Sequence, residues 1–339
     1  MSKQFFTILI FLASLSFKGK AQDMRFSQFY AAPIHSNPGF TGTTIEHRFV
    51  LNYRNQWPSI PGGFQSFHAS YEYNSSALNS GFGLVMARED AGTFGLTTNL
   101  AAFSYAYRIR LNRKTYLMPG IKFGFAFRSI DFSKLVFNDQ LESGSSATLD
   151  VDAFDEDQIN YPDMSGGLLL YSENYWIGAA LNHINEPNQT FLDEDNVVAE
   201  LPMRFTFQSG YKFKLSGPIS GRISPKSLMV AMHYESQGKF DQLDIGFYFN
   251  QAPLVFGLWY RGLPGIKSTE NVINNDALIL LLGYSIPDRN LRLGYSYDIT
   301  ISRLATNTAG AHEISLIYEF ASQKEKRKSR RFIVPCAKF

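Results

Sequence analysis

The chain has 339 residues, of which 45% are hydrophobic, 15% aromatic and only 18% charged, and its formal net charge is +2. Soluble proteins carry about 25% charged residues, so this deficit argues against an ordinary soluble domain. A mean hydropathy of −0.15 is too polar for a helical membrane protein. The composition fits a transmembrane β-barrel, in which an apolar outer wall is averaged with a polar lumen.

Residues 1–21 have the features of a secretory signal peptide. Lys3 supplies the positive n-region, Phe5 to Phe17 form the apolar h-region, and Gly19-Lys20-Ala21 is a small-x-small cleavage site that leaves Gln22 as the new N-terminus. The apolar run falls short of the ~20 residues that a helical span requires, and no later run is long enough either. We therefore expect the exported protein to be soluble or to span the membrane as β-structure.

Residues 22–44 follow the signal peptide and precede the first predicted strand. We interpret them as a periplasmic or plug-like segment, which docks onto periplasmic machinery or folds into the mouth of a barrel. Residues 45–320 are the predicted outer-membrane barrel, and residues 321–339 are a short basic C-terminal tail.

The segment from Leu117 to Phe127 is typical of the predicted strands. Ile121, Phe123, Phe125 and Phe127 lie two residues apart, with small or polar residues between them. Period-two alternation places the aromatic side chains on one face of a β-strand. A soluble sandwich would bury that face, whereas an outer-membrane barrel turns it toward lipid.

About 14 segments of this kind predict an all-β protein. Several run to ten residues or more, as tilted membrane-spanning strands require, whereas strands of globular proteins usually have about five or six residues. The segments lie near 45–57, 64–73, 80–90, 96–111, 115–129, 163–172, 174–183, 202–215, 226–235, 241–250, 254–262, 277–286, 290–298 and 311–320.

The connections between these segments alternate in length. The longest ones follow the odd-numbered strands 5, 7, 11 and 13, while most even-numbered ones are short turns, with Ser216 to Pro225 as the longest exception. Barrels carry long external loops and short periplasmic turns. The pattern therefore favours a transmembrane antiparallel β-barrel with long external loops and with both termini in the periplasm.

Charge is unevenly distributed along the chain. Residues 131–163 hold nine acids and one base, whereas the tail 321–339 holds seven bases and one acid. The acidic run could bind calcium through carboxylate oxygens, but it lacks the spacing of an EF-hand, and a solvated acidic loop is the default interpretation. The calcium candidates are Asp150, Asp152, Asp155 and Asp157.

The basic tail is a candidate docking site for a partner. An exported chain seldom meets nucleic acid, so an acidic partner protein or a polyanionic envelope component is the better match, and a disordered solubilising tail is the alternative. A lone Cys336 excludes an internal disulfide. The candidate docking residues are Lys324, Lys326, Arg327, Lys328, Arg330, Arg331 and Phe339.

The sequence gives little support to catalysis. The six histidines are scattered, and none forms a pair at metal-ligand spacing. His68 and Ser70 are the pair to examine for a hydrolase site, but no nucleophile motif surrounds them. A P-loop and a dinucleotide fingerprint are both missing from the sequence, so we expect neither an enzyme nor a cofactor.

Three parts of the chain resemble a known family. The first part begins at Asp23, continues through Phe26-Ser27-Gln28 and includes Asn37-Pro38-Gly39-Phe40-Thr41-Gly42. The second is Gly294 to Thr300 with Gly310 to Leu316, and the third is Pro335 to Phe339. Together they are similar to the PorP/SprF family, outer-membrane proteins of the type IX secretion system and gliding machinery of Bacteroidetes.

This resemblance implies a role in protein export or surface attachment. The implied partners are other type IX components in the outer membrane and periplasm, a secreted surface adhesin or its C-terminal signal domain, and outer-membrane lipid. Two alternatives stay open at this point. An outer-membrane diffusion channel for small apolar solutes predicts a plugging N-terminal segment and an apolar pocket in the lumen, and a soluble secreted β-sandwich lectin predicts no membrane insertion.

Overall fold

The computed structural model confirms an all-β protein that forms a closed, 14-stranded antiparallel transmembrane barrel. It describes residues 23–93, 95–131, 134–135, 140, 157–191, 199–215, 226–263, 274–302 and 308–322. The predicted signal peptide therefore lies outside the described residues, as do most of the acidic loop and nearly all of the basic tail. Among the described residues, no helix is long and apolar enough to cross a bilayer.

Each strand pairs with its neighbours along the chain, and the sheet closes because β1 pairs with β15, with His47 opposite Phe320. β5 is a two-residue continuation of β4, and both pair with β6. The strands are β1 (His47–Gln56), β2 (Phe64–Ser75), β3 (Ser80–Ala91), β4 (Leu96–Tyr107), β5 (Ile109–Arg110), β6 (Tyr116–Ser129), β7 (Gln158–Tyr171), β8 (Tyr175–Asn182), β9 (Arg204–Lys214), β10 (Lys226–Gln237), β11 (Phe240–Gln251), β12 (Leu254–Leu263), β13 (Asn274–Ile286), β14 (Leu291–Thr300) and β15 (Ala311–Phe320).

β7 differs most from its predicted bounds, because it begins at Gln158 and not at residue 163. Pro162, which disfavours strand interiors, lies opposite Phe125 of β6. Its carbonyl accepts a hydrogen bond from Nδ2 of Asn185 (2.8 Å), so its backbone faces the side where β8 has already ended. Proline is tolerated in a strand where no ladder donor is needed.

The side chains of β6 show how the wall is divided. Ile121 and Phe123 are 65% and 52% exposed, whereas Met118 and Lys122 are buried on the opposite face. The aromatic ladder predicted from the sequence therefore lies on the outside, where an outer-membrane barrel meets lipid. The inward positions carry small, polar and charged side chains.

The two ends of the barrel have different connections. The long-loop end carries the connections 57–63, 92–95, 130–157, 183–203, 238–239, 264–273 and 301–310. The short-turn end carries the connections 76–79, 172–174, 215–225, 252–253 and 287–290, together with the β4–β6 link. The longest connections predicted from the sequence all lie at the same end.

Candidate functional site: a plugged lumen with a cavity above it

Residues 23–44, which we call the plug, run through the lumen. At the long-loop end, the backbone N–H of Asp23 lies 3.4 Å from Oε1 of Gln237, the last residue of β10. At the short-turn end, the Thr44 hydroxyl donates to Oε1 of Glu319 (3.1 Å). The plug contains one short helix, α1 (Pro33–Ser36), followed by a 3-10 turn. All of its residues are buried except Asp23 and Arg25, which are half-buried.

Asp23 fixes the start of the plug to the wall. Its Oδ2 lies 2.5 Å from Nε2 of His183 and 3.3 Å from Nη1 of Arg204. The other ring nitrogen of His183 lies 2.7 Å from Oδ1 of Asp163 in β7. His183 therefore bridges a plug carboxylate and a wall carboxylate at the point where β8 leaves the sheet.

The charges around His183 decide its protonation. Burial would lower the pKa of His183, but the carboxylates of Asp23 and Asp163 outweigh that effect and raise the pKa to about 9. Burial would likewise raise the pKa of Asp23, but His183 and Arg204 hold it well below its ordinary value. The bridge is therefore an imidazolium between two carboxylates at neutral pH.

Ser27 lies at the centre of a second group of charges. Its hydroxyl donates to Oδ2 of Asp298 (2.6 Å) and accepts from Nη1 of Arg54 (2.7 Å) and Nη2 of Arg261 (2.9 Å). Arg54 and Arg261 also pair with Asp298 at 2.8 and 3.1 Å. Nε of Arg261 also lies 3.0 Å from Oδ1 of Asp244 in β11. Side chains from β1, β12 and β14 thus meet at one plug hydroxyl.

The wall also binds the plug backbone. The carboxylate of Glu313 accepts from the backbone N–H of Ser27 (2.7 Å) and of Gln28 (3.1 Å). The side-chain oxygen of Gln28 accepts from the hydroxyls of Ser315 (2.5 Å) and Tyr30 (2.8 Å). Ser27 and Gln28 therefore use both main-chain and side-chain groups to anchor the plug.

These contacts form a buried network of two guanidinium groups and three carboxylates in the half of the lumen nearer the long-loop end. Such networks are stabilising only when every member is paired and hydrogen-bonded, and removal of one partner costs about 3–5 kcal/mol because it leaves a buried charge uncompensated. The plug supplies Ser27 to this network. We infer that the network specifies where the plug lies.

Asn37 fits the lower half of the plug against the wall. Its Oδ1 accepts from the backbone N–H of Gly39 (2.8 Å), and its Nδ2 donates to the carbonyls of Leu168 (3.2 Å) and Ala179 (3.4 Å). A Cβ on Gly167 would lie 2.2 Å from Oδ1 of Asn37. The lumen wall is therefore glycine here because the plug approaches the sheet backbone directly.

Aromatic packing closes the space between the plug and the opposite wall. Phe29 stacks on His233 with ring centroids 5.1 Å apart and meets Trp259 edge-on at 4.9 Å. Tyr30 meets Tyr248 edge-on at 5.4 Å. Aromatic pairs of this geometry contribute about 0.5–1.5 kcal/mol each beyond the area that they bury.

A cavity of about 1020 Å³ lies above the plug and opens toward the long-loop end. Two residues of the connection between β8 and β9 also line it. They are Gln189, whose Nε2 donates to the Tyr161 hydroxyl (2.6 Å), and the buried Leu201. The lining combines charged and apolar groups. It includes Asp23, Met24, Arg25, Glu89, Leu96, Leu100, Lys122, Ala126, Arg128, Asp163, His183 and Arg204.

Most of the site residues predicted from the sequence fall outside the described residues. These are the calcium candidates Asp150, Asp152 and Asp155 and the tail candidates Lys324, Lys326, Arg327, Lys328, Arg330, Arg331 and Phe339. Asp157 is described, is exposed, and accepts the backbone hydrogen bond of Ile130 (3.0 Å). In the described part of the chain, His, Cys, Asp and Glu form no cluster suited to a metal ion.

His68 and Ser70 both face the lumen and are buried. The His68 ring packs edge-on against Phe26 of the plug at 5.6 Å. Neither ring nitrogen of His68 has a hydrogen-bond partner among the described residues, and the same holds for the hydroxyl of Ser70. The two side chains therefore face the plug without forming a nucleophile–base pair.

Sequence reasoning missed the network around Ser27. The alternation does place Arg54 and Asp298 on the polar face of their strands, because each is next to an aromatic residue on the other face. That signal identifies inward-facing charges. It does not say which of these charges pair with each other, because the partners are far apart in the sequence.

A family model described as "Type IX secretion system membrane protein PorP/SprF" matches residues 18–318. The chain belongs to the PorP/SprF family. The match covers the plug, β1 to β14, and β15 as far as Tyr318. Family membership makes this protein a membrane component of the type IX secretion system, and its barrel fold is that of an outer-membrane protein.

Solved structures also show similarity to this chain, at low sequence identity. This PorP/SprF chain is 12% identical to the CymD monoaromatic hydrocarbon channel (90% of this chain, 95% of that one, TM-score 0.46). It is 10% identical to the P. putida toluene transporter TodX (85% and 94%, TM-score 0.46). It is 8% identical to the Acinetobacter baumannii outer membrane protein Omp33 (83% and 100%, TM-score 0.42). No curated protein sequence matches this chain.

Proposed function

We propose that this protein is a plugged, non-enzymatic docking component of the type IX secretion system, which supports export or surface attachment of secreted proteins such as gliding adhesins. The observation that carries the proposal is the plug. Residues 24–44 are buried almost throughout, and paired charges hold them at Asp23 and around Ser27. A lumen filled in this way leaves no room for a secreted polypeptide.

We further propose that the long-loop end faces the outside of the cell, because outer-membrane barrels keep their short turns in the periplasm. In this orientation the basic tail that follows β15 lies in the periplasm, where it can meet other secretion components. Asp23 then lies in the outer half of the lumen. In this proposal the described residues 23–44 act as a plug inside the barrel and not as a periplasmic segment.

Affinity purification of the tagged chain from its native outer membrane tests the docking role. We expect other type IX components or a secreted adhesin to co-purify, and we expect deletion of the gene to reduce export or surface attachment. If no secretion component co-purifies and export is normal without the gene, the proposal fails. Conductance in a planar bilayer tests the plug separately, because deletion of residues 23–44 should convert a closed barrel into an open one.

A second candidate function is diffusion of small apolar solutes. It is favoured by one specific feature, the cavity above the plug, in which Met24, Leu96, Leu100 and Ala126 form an apolar wall. Below it, the polar network around Ser27 blocks a continuous apolar path. Uptake of a small aromatic hydrocarbon into proteoliposomes distinguishes the two, since a channel would accelerate uptake with the plug intact and a docking component would not.

A further inference from the structure

Two cavities lie next to each other on the outside of the barrel, over β1–β4 and β6. The upper one, with a volume of about 1050 Å³, lies among the loops of the long-loop end. The lower one, of about 670 Å³, is a groove in the outward-facing wall. Arg88 lines both cavities. The two spaces therefore meet at one guanidinium group.

The lower groove exists because two alanines stand among large side chains. Ala69 of β2 and Ala101 of β4 flank Met86 of β3 in the same row of the sheet. Leu51 and Phe125 continue this row on either side. The depression lies on the lipid-facing wall, so an acyl chain is the natural occupant. The groove is lined by Leu51, Tyr53, Phe67, Ala69, Met86, Ala101, Phe127, Ile314 and Leu316.

The upper cleft has the opposite character. Its polar lining combines amides, hydroxyls, carboxylates and cations in near balance, and the charges are already paired, with Arg88 2.8 Å from Asp90 and Lys134 3.2 Å from Asp131. Such a surface offers both donors and acceptors and has little net charge to select a phosphate alone. The polar groups come from Asn55, Gln65, Arg88, Asp90, Thr97, Ser129, Asp131, Lys134 and Asp157.

Arg88 is held at the boundary between the two cavities. Its Nε and Nη2 donate to the carboxylate of Asp90 at 3.0 and 2.8 Å, and the Thr97 hydroxyl donates to the same carboxylate at 2.8 Å. The Arg88 side chain is 53% exposed, so its remaining N–H groups can reach a ligand. A ligand that fills both cavities would have its polar–apolar junction beside this side chain.

We propose that this outer-wall site, formed by the groove and the cleft that meet at Arg88, binds a glycolipid. The acyl chains lie along the groove over Ala69 and Ala101, and the saccharide headgroup lies in the cleft among Gln65, Asp90 and Thr97. A saccharide matches the cleft because each of its hydroxyls can both donate and accept a hydrogen bond. The proposal does not depend on the docking role in secretion, since it concerns the outer wall and not the lumen.

The test uses the full chain in phosphatidylcholine nanodiscs that contain a minor fraction of rough lipopolysaccharide, a glycolipid, or of phosphatidylglycerol in its place. After extraction in detergent and affinity purification, mass spectrometry measures the bound lipid. We expect lipopolysaccharide to stay with the wild type, to be lost from the double variant Ala69→Phe, Ala101→Phe, which fills the groove, and to be reduced by Arg88→Gln.

Ala179→Phe is the matched control, because Ala179 faces outward on β8, on another part of the wall. It should retain lipopolysaccharide like the wild type. Heat-modifiable migration on a gel checks that each variant is folded. Retention of lipopolysaccharide by the groove-filling variant would overturn the site, and retention of phosphatidylglycerol by the wild type to the same extent would overturn the glycolipid assignment.

Discussion

Nε2 of His183 lies 2.5 Å from Oδ2 of Asp23, so the first described residue of the plug is joined to the residue that follows β8. His183 adopts a left-handed backbone conformation, with φ of 55°, which is uncommon for a residue other than glycine. The same residue begins the connection whose Gln189 and Leu201 line the cavity. The imidazolium of His183 therefore links the plug to this connection.

The first prediction concerns pH. The pKa of His183 is raised from 6.5 to about 9 in the folded protein, so the bridge contributes stability that is fully present below pH 6.5 and is lost as the pH rises through 9. We expect the plug to loosen over this interval. The measurement is the maleimide labelling rate of Ser36→Cys, buried in α1, in a Cys336→Ser background and normalised to denatured protein at each pH.

His183→Ala is the control for this titration. It removes the imidazolium and leaves Asp23 with Arg204 as its cation, so labelling should be faster than in the wild type below pH 6.5 and nearly independent of pH. A wild-type labelling rate that does not change between pH 6.5 and 10 would contradict the prediction.

The second prediction concerns the network of charges around Ser27. Asp298→Leu leaves Arg54 and Arg261 without their shared carboxylate and should destabilise the protein by about 3–5 kcal/mol, as expected for a buried pair that loses one partner. Ser27→Ala removes only a hydroxyl and should cost about 1–3 kcal/mol. Unfolding in guanidinium measures both changes, and the double variant should cost less than their sum because the two groups touch. If the free-energy losses of the two single variants simply add in the double variant, Ser27 and Asp298 do not act as one network.

Much of the fold could be predicted from the sequence, because alternation is a local signal. The alternation from Leu117 to Phe127 predicts a strand with a shared aromatic face, but by itself it leaves open whether that face is buried in a sandwich or turned toward lipid. The parity of the connections then distinguished a barrel from a sandwich. The largest error was the start of β7, because Pro162 and its acidic neighbours resemble a loop in the sequence, and the sequence does not show that β8 pairs with β7 only from Gly166 onward.

The contacts of the plug could not be predicted in the same way, because they join distant positions. Ser27 and Asp298 are 271 residues apart, and no local pattern states that they share a hydrogen bond. The motifs that carry the family resemblance include Ser27, Gln28 and Asn37, although the sequence assigns these residues no contacts. The structure adds the reason for these residue types, which is that the wall binds their side chains.

The third prediction concerns the fit of the plug against β7. Gly167→Ala would place a Cβ 2.2 Å from Oδ1 of Asn37, so Asn37 must move and its hydrogen bonds to the wall weaken. We expect faster labelling of the Ser36→Cys reporter and a measurable conductance in planar bilayers. Gly166→Ala is the matched control, because its Cβ would meet only Cδ1 of Ile184, at an ordinary 3.5 Å. Equal behaviour of the two alanine variants would show that the glycine is not needed for the plug.

The fourth prediction concerns the basic tail, for which the sequence is the only guide. Replacing its six clustered cations with glutamine changes the charge of residues 321–339 from +6 to neutral, and attraction between a charged segment and an acidic partner falls with that charge. We expect normal barrel insertion, seen as heat-modifiable migration, but reduced export or surface attachment of secreted protein. The cations are Lys324, Lys326, Arg327, Lys328, Arg330 and Arg331.

The control for the tail keeps its charge and changes its side chains, with arginine at the three lysines and lysine at the three arginines. If docking depends on net charge, this variant should export protein like the wild type. If instead it fails like the glutamine variant, the tail acts through specific contacts and not through its charge. Normal export by the glutamine variant would remove the tail from the docking role altogether, and the exposed surfaces of the long-loop end would then be the remaining candidates for partner binding.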